Sequence, residues 1–356
     1  MPEALGSDLP SPYPTERRGS PRISIDWFSH SAVTNDSVLT WLLDPAQPSI
    51  RYLTLTRVMG RRPSDPEVRA ARGEIPHDPW VREILSRRDP GGWWFRDRHP
   101  LWPQFLSTCW NMLALADLGA TRAVPEVEAS CDYWLAKTPL NGSGVKVNGR
   151  RAPVQHACYA GNMVRALIQF GYGDDPRVRK GLDWLVRTAH PKGGWSCWNF
   201  GDGPGKGRNL DGWEELSAFV PYPRSKWTPA MRACVEQGVE YFLEKELHDP
   251  KAPYEPRYRF HWPVHYFYDV LVGLDIVTAL GYVDDRRLDF ALSLLKKKRR
   301  SDGRWNLDAV HPDDPALEKF FVEHPEKRFV PLSFEKPGRP SKMITLSALT
   351  VLSRVH

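Results

Sequence analysis

The feature that most constrains this chain is an internal repeat of about fifty residues, a period typical of stacked or ring-forming helical proteins. Each unit has an apolar helical pattern, a glycine-rich turn that ends in tryptophan, and a second apolar helical pattern. The clearest turns are Pro90–Trp94, Lys192–Trp195 and Asp302–Trp305. A weaker copy of the turn contains Gly144. The intervals from Gly92 to Gly144, from Gly144 to Gly194 and from Gly194 to Gly303 correspond to about one, one and two repeat units.

Each unit is predicted to be a pair of helices. Apolar residues recur at helical spacing, as at Val178, Leu182, Leu185 and Val186. Asp65 and Asp175 each precede a proline, which predicts N-caps with proline in the first turn. Four glycines are predicted to end second helices in the left-handed conformation: Gly60, Gly119, Gly171 and Gly281. We therefore predict an all-α fold of about six helix pairs closed into an α/α toroid, with an open solenoid as the alternative.

The predicted domain organisation is simple. Residues 1–22 are rich in proline, serine and charge without an apolar segment, so we predict a disordered lead and no signal peptide. Residues 23–356 are predicted to form one toroid domain. No stretch reaches the roughly eighteen consecutive apolar residues of a membrane-spanning helix. The 5 cysteines lie in apolar contexts, which predicts reduced thiols and a cytoplasmic location.

The formal net charge of +6 is spread along the chain and is concentrated only at Lys296–Arg300, at the end of a predicted surface helix. No nucleic-acid-binding motif accompanies this charge, so we predict no nucleic-acid partner. A peripheral contact with a membrane surface stays open, because apolar substrates often arrive from bilayers.

The glycine–tryptophan turns resemble those of the squalene cyclase, terpene cyclase and protein prenyltransferase superfamily. The resemblance, which includes the repeat of about fifty residues, covers roughly residues 48–354. Segments that resemble a group of single-domain bacterial members are Arg51–Leu55, Asp65–Arg72, Asp78–Val81 and Thr345–Leu349. The resemblance implies a toroid whose second helices lie inside, and an isoprenoid or similarly apolar substrate in a central cavity lined by aromatic rings.

The motifs that would specify a reaction within this superfamily are incomplete. The Asp-x-Asp-Asp acid of protonation-initiated cyclases is absent. The resemblance to prenyltransferases places Asp211 and His265 at two zinc-ligand positions, but Trp213 stands where the thiolate ligand belongs. Glu214 or Glu215 could replace it as an oxygen ligand. We predict no cofactor and no resident metal, with a weak zinc or magnesium site left open.

Histidine, tyrosine and aspartate are concentrated between Arg257 and Val270. If this segment begins an inner helix, His265 and Asp269 lie four residues apart on one face, where a carboxylate can orient an imidazole for proton transfer. A polar network that only fixes the start of the helix is the alternative. The predicted catalytic residues are His265, Asp269, Asp211, Glu214 and Tyr266.

The predicted substrate-binding residues come from the starts of inner helices and the turns beside them: His261, Trp262, Trp195, Trp213, His156, Tyr159 and Cys197. The chain holds 15 tryptophans, whose rings can pack in a core or line a cavity for apolar, cationic or sugar ligands. We predict an enzyme acting on an isoprenoid or other apolar substrate. The alternatives are a carbohydrate-active lyase or hydrolase on a related toroid, and a noncatalytic binder of a hydrophobic ligand.

Overall fold

The structure is a computed structural model. It describes residues 36–95, 100, 105–140, 146–147, 150–151, 156–195, 210–265, 267–310, 319, 322–323 and 332–355. The predicted lead, residues 1–22, lies outside this part of the chain.

The described part of the chain is built from helices, which confirms the predicted all-α class. The α-helices are α1 Asp36–Leu42, α2 Pro48–Leu53, α3 Pro66–Glu74, α4 Pro79–Ser86, α5 Thr108–Asp117, α6 Pro125–Lys137, α7 Ala157–Leu167, α8 Pro176–Thr188, α9 Trp213–Ser217, α10 Pro229–Glu244, α11 Val270–Ala279, α12 Asp289–Lys297 and α13 Lys342–Val355. One π-helical segment, Thr54–Val58, continues α2, and another, Ile168–Tyr172, continues α7. Short 3-10 helices are Ile75–His77, Arg224–Lys226, Glu255–Tyr258 and Arg286–Leu288. Strands β1 Lys146–Val147 and β2 Arg150–Arg151 form one antiparallel pair.

The helix ends follow the local sequence. Asp65 and Asp175 accept hydrogen bonds from backbone N–H groups in the first turns of α3 and α8, which confirms both predicted N-caps. The predicted C-cap glycines all have positive φ: Gly60 at 63°, Gly119 at 77°, Gly171 at 98° and Gly281 at 93°. Only glycine adopts this conformation without steric cost, so Gly60, Gly119 and Gly281 end their helices, and Gly171 breaks the helical conformation near the end of its π-helical segment.

Some helices are buried on all sides and others on one side only. In α5, residues Thr108–Ala116 are all buried, whereas α4 buries only Val81 and Ile84. A helix that is apolar around its whole circumference lies in the interior of a protein. An amphipathic helix lies at the surface and packs its apolar side against that interior. Helix α5 is therefore an interior helix, and we call it and the other mostly buried helices, α7, α9, α11 and α13, the inner helices.

The inner helices pack in chain order. Helix α5 packs against α7, α7 against α9, α9 against α11, and α11 against α13. The last helix then packs against α2 and its π-helical extension, and Lys342 Nζ lies 3.2 Å from Asp44 Oδ2. The α7–α9 contact depends on Gly161, because a Cβ there would lie 2.6 Å from the backbone nitrogen of Glu215. The last described helix thus lies against α2, one of the first described helices.

Three turns between helices make the same hydrogen bond. In each, a buried indole Nε1 donates to a backbone carbonyl ten residues earlier: Trp94 to Ile84 at 2.8 Å, Trp195 to Leu185 at 2.9 Å, and Trp305 to Leu295 at 2.8 Å. The glycine two residues before each tryptophan has positive φ: 99° at Gly92, 84° at Gly193 and 84° at Gly303. The equivalent glycine of the second turn is therefore Gly193 and not the predicted Gly194.

None of the helices in the described residues is both long enough and apolar enough to cross a membrane.

Replacing Trp305 by phenylalanine should destabilise the fold by about 1–3 kcal/mol, because the ring stays apolar but its bond to the buried Leu295 carbonyl is lost. Chemical denaturation measures this change. The matched control is Trp93→Phe in the first turn, where the ring is partly exposed and the cost should be below about 1 kcal/mol. Equal losses for both variants would show that the indole hydrogen bond does not hold the turn.

Candidate functional site

A cavity of about 330 Å³ lies between the inner helices. Its wall combines apolar side chains from α9, α11, α13 and the segment before α11 with charged side chains near the ends of the helices. The apolar residues that line it include Trp213, Trp262, Leu271, Ile276, Met343 and Ile344. Two of these are tryptophans and the rest are aliphatic, so the described wall is less aromatic than the predicted cavity.

The lining follows from helical periodicity. Leu271, Val272, Asp275 and Ile276 lie one and four residues apart, which places them on one face of α11. The same spacing places Met343, Ile344 and Ser347 on one face of α13. In the short helix α9, Trp213 and Ser217 are four residues apart and line the cavity. Each helix therefore contributes one stripe of side chains.

A buried histidine–aspartate pair lies at the start of α11. Asp269 Oδ2 accepts a hydrogen bond from His261 Nδ1 at 2.5 Å and another from the backbone N–H of His261 at 3.1 Å. Asp269 Oδ1 accepts from the N–H of Val272 at 2.9 Å, so the same carboxylate caps α11. His261 and Asp269 are each 1 % exposed, and both line the cavity.

The hydrogen bond to Asp269 determines the tautomer of the His261 imidazole. Because Nδ1 donates its hydrogen to Asp269, the lone pair of the neutral ring is at Nε2. Among the described residues, none offers a hydrogen-bond partner to His261 Nε2. The same holds for the indole nitrogens of Trp213 and Trp262. Three residues of the cavity wall therefore carry a buried base or a buried neutral donor that no other described residue uses.

The predicted pairing of His265 with Asp269 was wrong. Helix α11 begins only at Val270, with Asp269 as its N-cap, so the two residues do not share a helical face. The carboxylate turns back to His261 instead. His265 is fully buried against Phe105, at 4.8 Å between ring centroids, and against Trp110, at 5.6 Å. It does not line the described cavity.

Other predicted site residues lie away from the described cavity lining. Asp211 is partly buried in the turn before α9, and Glu214 is buried within α9 on a different face from Trp213 and Ser217. His156 is the N-cap residue of α7 and is partly buried. None of the three contributes to the described wall.

Two predicted binding residues are held in the core by hydrogen bonds. The Tyr159 hydroxyl lies 2.6 Å from Trp134 Nε1 and 2.9 Å from Thr138 Oγ1, and Trp195 donates to Leu185. Their positions suit packing, because buried polar atoms need such partners. Tyr266 and Cys197 lie outside the described residues.

The sequence interpretation missed the charged end of the cavity. Arg165 on α7 donates through Nη1 to Asp117 Oδ1 on α5 at 2.7 Å. Arg354 on α13 donates to Asp275 Oδ1 on α11, also at 2.7 Å. A signal existed in each case, because a charged residue interrupts a helix that is otherwise apolar and predicted to be inside.

The buried cysteines give no nucleophile. Burial raises the pKa of the Cys109 thiol well above its usual range and that of Cys234 to about 12. Both thiols therefore stay protonated at neutral pH, and the thiolate is the reactive form. Within the described ranges, no three histidine, cysteine, aspartate or glutamate side chains form a metal-binding group.

Comparison with known proteins gives only distant similarities. No family model and no curated protein matches the sequence. Among solved structures, the chain resembles a protein from Actinoplanes, with 14 % identity and a TM-score of 0.40 over 88 % of each chain. It also resembles the type II terpene cyclase MstE from Scytonema, with 14 % identity and a TM-score of 0.31, over 80 % of this chain and 96 % of that one. These values are too low to assign a family or an activity.

Replacing Asp269 by alanine should cost about 2–4 kcal/mol of stability, since it removes the cap of α11 and leaves the buried His261 Nδ1–H without an acceptor. Asp175→Ala is the matched control, because it removes an N-cap with no imidazole and should cost about 0.5–2 kcal/mol. Denaturant unfolding of both variants measures the difference. Similar losses would mean that the bond to His261 adds nothing to stability.

Proposed function

We propose that this chain is an enzyme that acts on an isoprenoid-like, apolar substrate inside the cavity, with His261 as the proton-transferring group. The observation that carries the proposal is the buried His261–Asp269 pair, two residues that line a cavity to which α11 and α13 contribute apolar side chains. A core that served only for packing would have aliphatic side chains at positions 261 and 269. An uncommitted imidazole nitrogen at a cavity suits acid–base chemistry.

The proposed architecture is a closed α/α toroid of helix pairs. Its support is the packing order of the inner helices, from α5 through α7, α9 and α11 to α13, with α13 lying against α2. The three equivalent indole hydrogen bonds support a repeated unit joined by glycine–tryptophan turns. In such a ring the inner helices surround an interior, where this cavity lies.

The proposed roles follow from the contacts. His261 Nε2 would accept a proton from the substrate or return one to it, and Asp269 would hold the ring in the required tautomer. The rings of Trp213 and Trp262 would face a substrate that develops positive charge, which aromatic faces attract. The aliphatic wall would limit water near such a charge.

The apolar side chains that α11 and α13 contribute to the wall favour this proposal over carbohydrate chemistry. Leu271, Ile276 and Ile344 offer no hydrogen bonds to sugar hydroxyl groups. Asp211 and Glu214, two of the predicted catalytic residues that could serve as acid and base on a sugar, are not part of the described lining. The volume of about 330 Å³ is at the lower end for ligand pockets, which suits a small substrate.

Turnover of prenyl alcohols and prenyl acids, followed by mass spectrometry, tests the proposal. In His261→Asn the side-chain amide can still donate to Asp269 but cannot exchange a proton, so the rate should fall about 100-fold or more while the melting temperature stays near that of the wild type. Ser347→Ala is the control, because Ser347 lines the cavity away from the pair and its loss should leave the rate within about threefold.

Two results would refute the catalytic proposal. One is normal turnover by a folded His261→Asn variant. The other is saturable binding of these compounds, seen by tryptophan fluorescence, without any product. The second result would assign the chain to the binders of hydrophobic ligands.

A further inference from the structure

Arg165 is the least satisfied charged residue of the cavity wall. It lies in the last turn of α7, its side chain is only 13 % exposed, and it lines the cavity. Nη1 is bound to Asp117. Nε and Nη2 are shielded from solvent, and no described residue accepts a hydrogen bond from either.

The two unused nitrogens form one edge of the guanidinium group. Their N–H bonds are nearly parallel and match the two oxygens of a carboxylate or of a phosphate. Asp117 occupies the other side of the group and fixes its orientation, so the unused edge is held in place. Charged donors left without an acceptor away from water are costly, and an oxyanion in the cavity would satisfy both.

The surrounding charges are compatible with an anion. The guanidinium groups of Arg57, Arg165 and Arg354 line this end of the cavity together with the carboxylates of Asp117 and Asp275. Three positive and two negative groups leave one positive charge in excess at this end, and the third carboxylate of the wall, Asp269, lies at the start of α11 and is bound to His261. Arg354 is already bound to Asp275, and Arg57 is exposed, which leaves Arg165 as the buried group with free donors.

The charged end is separated from the histidine. Asp275 lies six residues along α11 from Asp269, or about 9 Å at the helical rise. Leu271 and Val272 line the wall between them. A molecule with a charged head at Arg165 would therefore place apolar carbons along this wall and a reactive carbon near His261.

We infer that the substrate is an amphiphile whose oxyanion head group, a carboxylate or a phosphate, binds the Nε–Nη2 edge of Arg165 at the end of the cavity opposite His261. The inference rests on the proposed function for the placement of substrate in this cavity. It adds the chemistry of the head group and the direction of the chain.

Isothermal titration of the full chain tests the inference with three probes of equal chain length: an alkyl carboxylate, an alkyl phosphate and the alcohol. At least one of the two anions should bind about tenfold or more tightly than the alcohol. The anion that binds more tightly identifies the head group. Arg165→Lys keeps the charge but loses the paired donors, and should remove most of this preference while the alcohol binds as before.

Arg287→Lys is the matched control. Arg287 also binds carboxylates, those of Asp285 and Glu240, but it does not line the described cavity, so its substitution should leave the preference intact. Equal binding of anions and alcohol by the wild type would overturn the inference, as would an unchanged preference in a folded Arg165→Lys protein. If the alcohol binds without an anion preference, the cavity still takes apolar ligands and only this inference fails. If no probe binds, the placement of an apolar substrate in the cavity fails as well.

Discussion

The carboxylate of Asp269 is the interaction on which the site depends. It closes the first turn of α11 through Val272 and holds His261 through both the backbone N–H and the ring. One buried group therefore sets where the inner helix begins and how the preceding segment crosses the cavity. Because the two functions share one carboxylate, the position of the imidazole is tied to the helix that forms the wall beside it.

Close packing of the inner helices sets the space that remains between them. Gly161 lets α7 approach the backbone of α9, and a side chain there would push the two helices apart. The close approach brings Trp213 on α9 and Arg165 on α7 to the same cavity. The cavity is therefore a consequence of where small and large residues lie along adjacent helices, and its polar groups come from the few positions where an inner helix carries one.

Local signals allowed much of the secondary structure to be predicted. Caps such as Asp175 and Gly171 act within one turn of the chain, so their residues alone reveal them. The charged end of the cavity could not be placed, because the meeting of Arg165 with Asp117 depends on how α7 and α5 are rotated against each other. The histidine partner of Asp269 was predicted wrongly for a related reason. Spacing of four residues has meaning only inside a helix, and the segment before Val270 is not helical.

The unpaired polar atoms of the wall residues make the two ends of the cavity chemically different. His261 Nε2 and the Trp262 indole nitrogen belong to the segment that leads into α11, whereas the free edge of Arg165 lies near the end of α7. On α11, Leu271, Val272 and Ile276 add aliphatic side chains to the wall, beside Asp275. A pure hydrocarbon would satisfy that wall but leave the Arg165 donors without acceptors, and a sugar would satisfy the donors but place its hydroxyl groups against Leu271 and Ile276. An apolar chain with one anionic end meets both requirements, because its charge and its carbons fall where the wall offers each a partner.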